Sequence, residues 1–136
     1  MDFEELGRRA VACKGWRWMP GMLAKRPGFR GGSVRIHDGC EADGMACGWW
    51  EVPSATESGA FDGSISGFIP DLTDPATLGC LLALVREAWS CPTVCVVHEG
   101  SDHPDPWAVR ARRGEALGIG VTEAEALMLA LEAAPC

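Results

Sequence analysis

The chain has 136 residues, 47% of them hydrophobic, and a formal net charge of −7. That length suits a single domain, spanning 1–136, which buries its own core without metals or disulfides. No apolar run approaches the roughly 18 residues of a membrane span, the start MDFEEL is too acidic for a secretory leader, and the charge is too modest to argue DNA mimicry.

The expected compartment is cytoplasmic, with no membrane partner. Seven cysteines in an odd, irregularly spaced set are expected to be reduced and mostly buried. Asn, Gln and Tyr are absent, and ten arginines stand against two lysines, a bias typical of a GC-rich genome. Without amide side chains the usual readers of adenine edges are missing, so no sequence-specific DNA binding is expected. Residues 1–36 carry a local charge of +5 and the remainder −12. Such halves either attract an anion at one end or pair with each other at the surface, and pairing is the simpler outcome.

In chain order, Asp2 and Glu5 form a capping-box-like pair for a helix running to about Cys13, with Phe3, Leu6, Ala10 and Cys13 on one face. Gly15 ends it. The segment Trp16 to Met22 predicts an apolar, cationic turn folded back against a sheet, followed by the basic stretch Lys25 to Arg30. Ser33–His37 alternates as a half-buried strand and pairs with Cys47–Val52 across a glycine-rich acidic turn. Pro53 to Gly67 has no apolar period and predicts a mobile loop.

Asp74 before Pro75 predicts a helix start, since the carboxylate accepts from free N–H groups and proline has no N–H to leave unsatisfied. Leu78, Leu81, Leu82, Val85 and Trp89 share one arc of that helix, and Pro92 blocks continuation. Thr93–His98, nearly all apolar and β-branched, predicts the centre of a sheet. Two more strands follow, Trp107–Ala111 and Leu117–Val121, the second alternating with Gly118 and Gly120. Thr122 and Glu125 then cap a last helix, with Ala124, Leu127, Met128 and Leu131 on one face. The expected fold is α+β, an antiparallel sheet sandwiched with helices in the order α-β-β-α-β-β-β-α.

PDLTDPATLGCLLALVREAW, followed by a strand, a tryptophan-led strand and the closing VTEAEALMLALEAAP, resembles a group of small uncharacterised proteins of tailed phages and prophages. CKGWRWMPGM after the first helix strengthens the likeness, and the layout is similar to the phage ABA-sandwich domain family. The resemblance covers roughly 1–23 and 70–135. It implies a phage origin, this fold and a place in the host cytoplasm, and it supplies no reaction, because its motifs are caps and core positions.

Candidate chemistry is sparse. Cys91, Cys95, His98 and His103 have ligand-like spacing, but Cys95 and His98 fall on opposite faces of a strand and cannot share one zinc without a bulge. His37, Cys40 and Cys47 flank a hairpin and argue no more strongly. The 98–106 loop gathers two histidines and three acids, as a solvated turn also does. Gly63–Gly67 lacks the nucleophile-elbow register, and neither GxxxxGK nor GxGxxG occurs. A non-enzymatic protein with no cofactor and no metal is expected.

Two surfaces are left as binding candidates. Trp16, Arg17, Trp18, Lys25, Arg26, Arg30, Gly31 and Gly32 could stack a base and grip a phosphate, completed across a homodimer if the chain pairs. Trp49 and Trp50, adjacent on a strand, point to opposite faces, so that one can enter the core and the other can anchor a protein partner. Together with the phage resemblance these give two expectations: sequestration of a small nucleotide signal, or a protein-binding inhibitor of a host defence effector, in the manner of an anti-CRISPR. A nucleotide-processing enzyme using the 98–105 loop ranks behind both.

Overall fold

All three helix-start signals produce helices in the computed structural model, which describes residues 2–29, 32–38, 45–51 and 59–135. Helix α1 spans Phe3–Ala12, with the Asp2 carboxylate accepting from the Glu4 N–H at 3.1 Å. Helix α2 spans Pro75–Ala88, capped by Asp74, which accepts from the Thr77 N–H at 2.9 Å. Helix α3 spans Glu123–Glu132. There the Thr122 hydroxyl accepts from the Glu125 N–H, while the Glu125 carboxylate reaches back to the N–H of Val121.

The class is α+β, with two antiparallel sheets rather than one. Strands β1 (Leu23–Lys25), β2 (Ser33–Asp38), β3 (Met45–Glu51), β4 (Ala60–Ser64) and β5 (Ile69–Pro70) form the first, in the order β4-β3-β2-β1-β5. The second contains β6 (Cys95–His98), β7 (Trp107–Arg110) and β8 (Ala116–Gly120), in that order. The hairpin expected between Ser33–His37 and Cys47–Val52 is β2–β3, with Arg35 opposite Trp49 and Val34 opposite Trp50.

Several expectations change. Part of the stretch read as a mobile loop is strand β4, which pairs along β3 from Met45↔Ser64 to Trp49↔Ala60; residues 52–58 lie outside the described set. β1 and β5 span only 3 and 2 residues, too short for any period to register. The apolar run after α2 forms an edge strand, not a sheet centre, because β7 lies between β6 and β8. Of the cysteines expected to be buried, Cys47 and Cys95 are exposed and Cys13, Cys80 and Cys91 half-buried; all five are free thiols.

The core centres on α3. At 100° per residue Ala126 and Ala130 lie on one side of that helix and Leu127, Met128 and Leu131 on the other, and all five are buried. The larger stripe joins Leu6 and Ala10 of α1, Leu81, Leu84 and Val85 of α2, and Ala24, Val34 and Ile36 of the five-stranded sheet in one cluster. The alanine side lies on β8. There the glycines face inward, while Ile119 is 43% exposed on the outer face.

Contact between α3 and β8 depends on those glycines. A Cβ at Gly118 would sit 2.2 Å from the Ala126 carbonyl oxygen and 2.7 Å from the Ala130 nitrogen. Backbone cannot yield as a flexible side chain can. Gly118→Ala is therefore expected to cost at least about 3 kcal/mol in urea unfolding. Gly79→Ala, on an exposed turn of α2 where an added Cβ meets nothing within 4 Å, should instead stabilise by about 0.5–1 kcal/mol.

Candidate functional site

Strand β3 divides its residues cleanly between core and surface. Ala46 and Gly48 are buried, while Met45, Cys47, Trp49 and Glu51 are exposed. A Cβ at Gly48 would come within 2.2 Å of the Arg35 carbonyl oxygen, so glycine lets β2 and β3 close on their inner side. Trp50 turns inward and packs edge-on against Phe61, centroids 5.4 Å apart, and Phe61 continues to Phe68 at 5.9 Å. Trp49 turns outward and is 50% exposed, with Met45 41% exposed on the same face. Its cross-strand neighbours are Arg35 on β2 and Ala60 on β4, and β4 is the sheet edge.

Arg35 cannot swing away from this face. Its guanidinium donates to both Asp74 oxygens, at 2.7 and 3.1 Å, to both Glu51 oxygens, at 2.9 and 3.2 Å, and to the Gly21 carbonyl at 2.9 Å. Asp74 accepts as well from the Thr77 hydroxyl, whose oxygen accepts from the Leu23 N–H of β1. Burial alone would raise the Asp74 carboxyl, but hydrogen bonds from Arg35 and Thr77 outweigh it and hold the group below the ordinary carboxylate range. The same contacts, with Asp74 first and Glu51 second, push Arg35 further up. Trp49 is thus presented by a strand pair locked to α2, between Arg35 and Ala60, with the Arg35-paired Glu51 and Asp62 on the same face.

The basic and aromatic residues of 16–32 are only partly brought together. Trp16 and Trp18 meet edge-to-face at 5.3 Å and pack against the core, with the Trp16 indole N–H buried and unpaired. Arg17 is exposed and ion-paired with Glu87 near the end of α2, whereas Lys25 faces Asp71 just before α2 begins, at 3.9 Å. Those partners stand at opposite ends of α2, whose 14 residues span about 20 Å at ~1.5 Å per residue. Arg26 lies over Phe68 and Phe29 at 5.3 and 5.8 Å, and Gly32 enters β2 with φ of 127°. Arg30 and Gly31 lie outside the described residues. Pairing between the basic and acidic halves thus takes up Arg17 and Lys25.

Among the described residues, no three His, Cys, Asp or Glu side chains converge as metal ligands. His98 stacks edge-on against Trp107 at 5.0 Å, and His103 turns its Nδ1 to the Asp105 backbone. Burial pushes the thiols of Cys13 and Cys80 up. Cys91 is lowered, first by the Thr93 hydroxyl and then by the Arg112 backbone N–H. Met45 was not singled out from the sequence, although extending the β3 alternation two residues back from Cys47 places it on the Trp49 face, about 13 Å along the strand.

No family model, curated protein or solved structure matches the chain. No described helix is long and apolar enough to cross a membrane.

The Arg35–Asp74 pair carries a pH signature. Because the folded carboxyl lies below its ordinary 3.8, its contribution is fully present above about pH 4 and is lost as pH falls through the lower folded value. Urea midpoints of the wild type and Asp74→Asn should differ at pH 6 and converge toward pH 2. Arg35→Met, which leaves Asp74 without its cation, should cost about 2–4 kcal/mol at neutral pH.

Proposed function

We propose that this chain is a phage accessory protein that acts by binding, and that it blocks a host defence protein through the outer face of β3. The observation carrying this reading is the half-exposed Trp49, held with Met45 on a rigid strand pair next to a sheet edge. An aromatic anchor inside a polar rim is the usual anatomy of an interface hot spot. Asp62 on the same face, together with the −12 balance beyond residue 36, matches a partner whose apolar pocket is bordered by Lys and Arg. The phage setting rests on the sequence resemblance. Among the cations of 16–32, Arg17 is spoken for by Glu87 and Lys25 faces Asp71, which favours a protein partner over a nucleotide at that segment.

The test is phage plating on bacteria that carry defence systems and express the chain. Wild type and Arg17→Ala should both restore plating on a sensitive host, and Trp49→Glu should not. Trp49→Glu should leave stability within about 1 kcal/mol, because the side chain is half in water, whereas Trp50→Ala should cost about 3 kcal/mol or more. Full activity of Trp49→Glu, or no rescue on any defended host, would contradict the reading.

A further inference from the structure

A second surface, remote in sequence from Trp49, has the chemistry of an anion site. Helix α2 ends in a Schellman turn: the Ser90 N–H donates to the Glu87 carbonyl at 3.0 Å and the Cys91 N–H to that of Arg86 at 2.9 Å. Ser90 takes the left-handed conformation, φ 50°, which glycine usually fills. This turn brings Cys91 against the β7–β8 connection. There the Gly114 N–H donates to the Ala111 carbonyl at 2.9 Å, the Ala111 N–H to that of Glu115 at 3.0 Å, and Gly114 has φ of 88°. Arg112 and Arg113 occupy the two corners of that tight turn. Between the two turns lies an open cleft of about 500 Å³, within the range of small-ligand sites.

Three observations give the cleft its preference. Most other described arginines are engaged. Arg8, Arg9, Arg17, Arg35 and Arg110 face carboxylates, Arg86 donates to the Val94 carbonyl, and Arg26 covers two phenylalanine rings. Arg112 and Arg113 pair with no described residue, and Glu115, which also lines the cleft, pairs with neither, so a surplus positive charge remains. Secondly, the Cys91 sulfur lies 3.4 Å from the Thr93 hydroxyl, and that hydroxyl, followed by the Arg112 backbone N–H, holds the thiol below its ordinary range. Thirdly, the apolar wall is fixed, because the Trp89 indole N–H donates to the Ala130 carbonyl at 2.7 Å.

We propose that this cleft binds a small phosphorylated ligand, with Arg112 and Arg113 forking the phosphate and Trp89 and Leu117 receiving the apolar part. Adjacent guanidinium groups supply planar paired donors, which a phosphate accepts with shorter, stronger bonds than neutral donors give. The site is independent of the β3 face.

Pyrophosphate and a nucleoside diphosphate serve as probes, followed by calorimetry on the whole chain. Saturable binding of at least one is expected, at least about tenfold weaker in Arg112→Ala/Arg113→Ala and unchanged in Lys14→Ala. Alkylation of Cys91 by iodoacetate, followed by peptide mass, gives a readout in the unmutated protein: a bound phosphate should slow it, while Cys95 reacts at its usual rate. Equal affinity in the double arginine variant, absence of saturable binding of either probe, or undiminished Cys91 alkylation at saturating probe would overturn the proposal.

Discussion

The hydrogen-bonded group of Asp74, Arg35 and Thr77 is the constraint on which the rest of the structure depends. One carboxylate caps α2, fixes an arginine of the central strand β2, and accepts from the hydroxyl of Thr77, the one fully buried polar side chain among the described residues. Through the same hydroxyl the network reaches the Leu23 N–H of β1. The helix start and the placement of β1 and β2 against it are thereby decided together. A partly buried ion pair contributes little net stability when compared with apolar packing, but losing one member leaves a charge without compensation, so such a group specifies geometry more than it adds energy. The geometry it specifies here includes the outward face of β3.

A second constraint acts on the other sheet. Glycines at 118 and 120 let α3 approach β8 so closely that backbone meets backbone, and this pushes the branched residues Ile119 and Val121 outward. The result is a helix buried on both sides, with alanines against one sheet and large aliphatic side chains toward everything else.

Local chemistry was legible in the sequence, and long-range placement was not. Asp74-Pro75 and Thr122-x-x-Glu125 announce their helices because caps are satisfied within four residues, and the Ser33–His37 alternation gives its strand and its partner. β1 and β5 are hidden because two or three residues cannot display a period. β4 is hidden because Ala60-Phe61-Asp62-Gly63-Ser64 owes its strand to pairing with β3 rather than to propensity. The edge position of β6 was equally invisible, since an apolar run reports burial and not order in a sheet. At the candidate sites, adjacency of Trp49 and Trp50 correctly separates one inward and one outward ring. Within 16–32, the pairing of Arg17 with Glu87 and of Lys25 with Asp71 was not legible because those partners are distant in sequence, and Arg112 and Arg113 look like ordinary turn residues until Cys91 and Trp89 are seen beside them.

A photo-crosslinking residue can test the proposed binding through the face that β3 and β4 share without removing Trp49. Placed at Ala60, which is exposed and directly opposite Trp49, it should capture one host protein in cells mounting a defence, while the same group at Arg17 captures none. Capture from position 17 alone, or from neither position under conditions where the chain protects phage, would contradict the proposed binding.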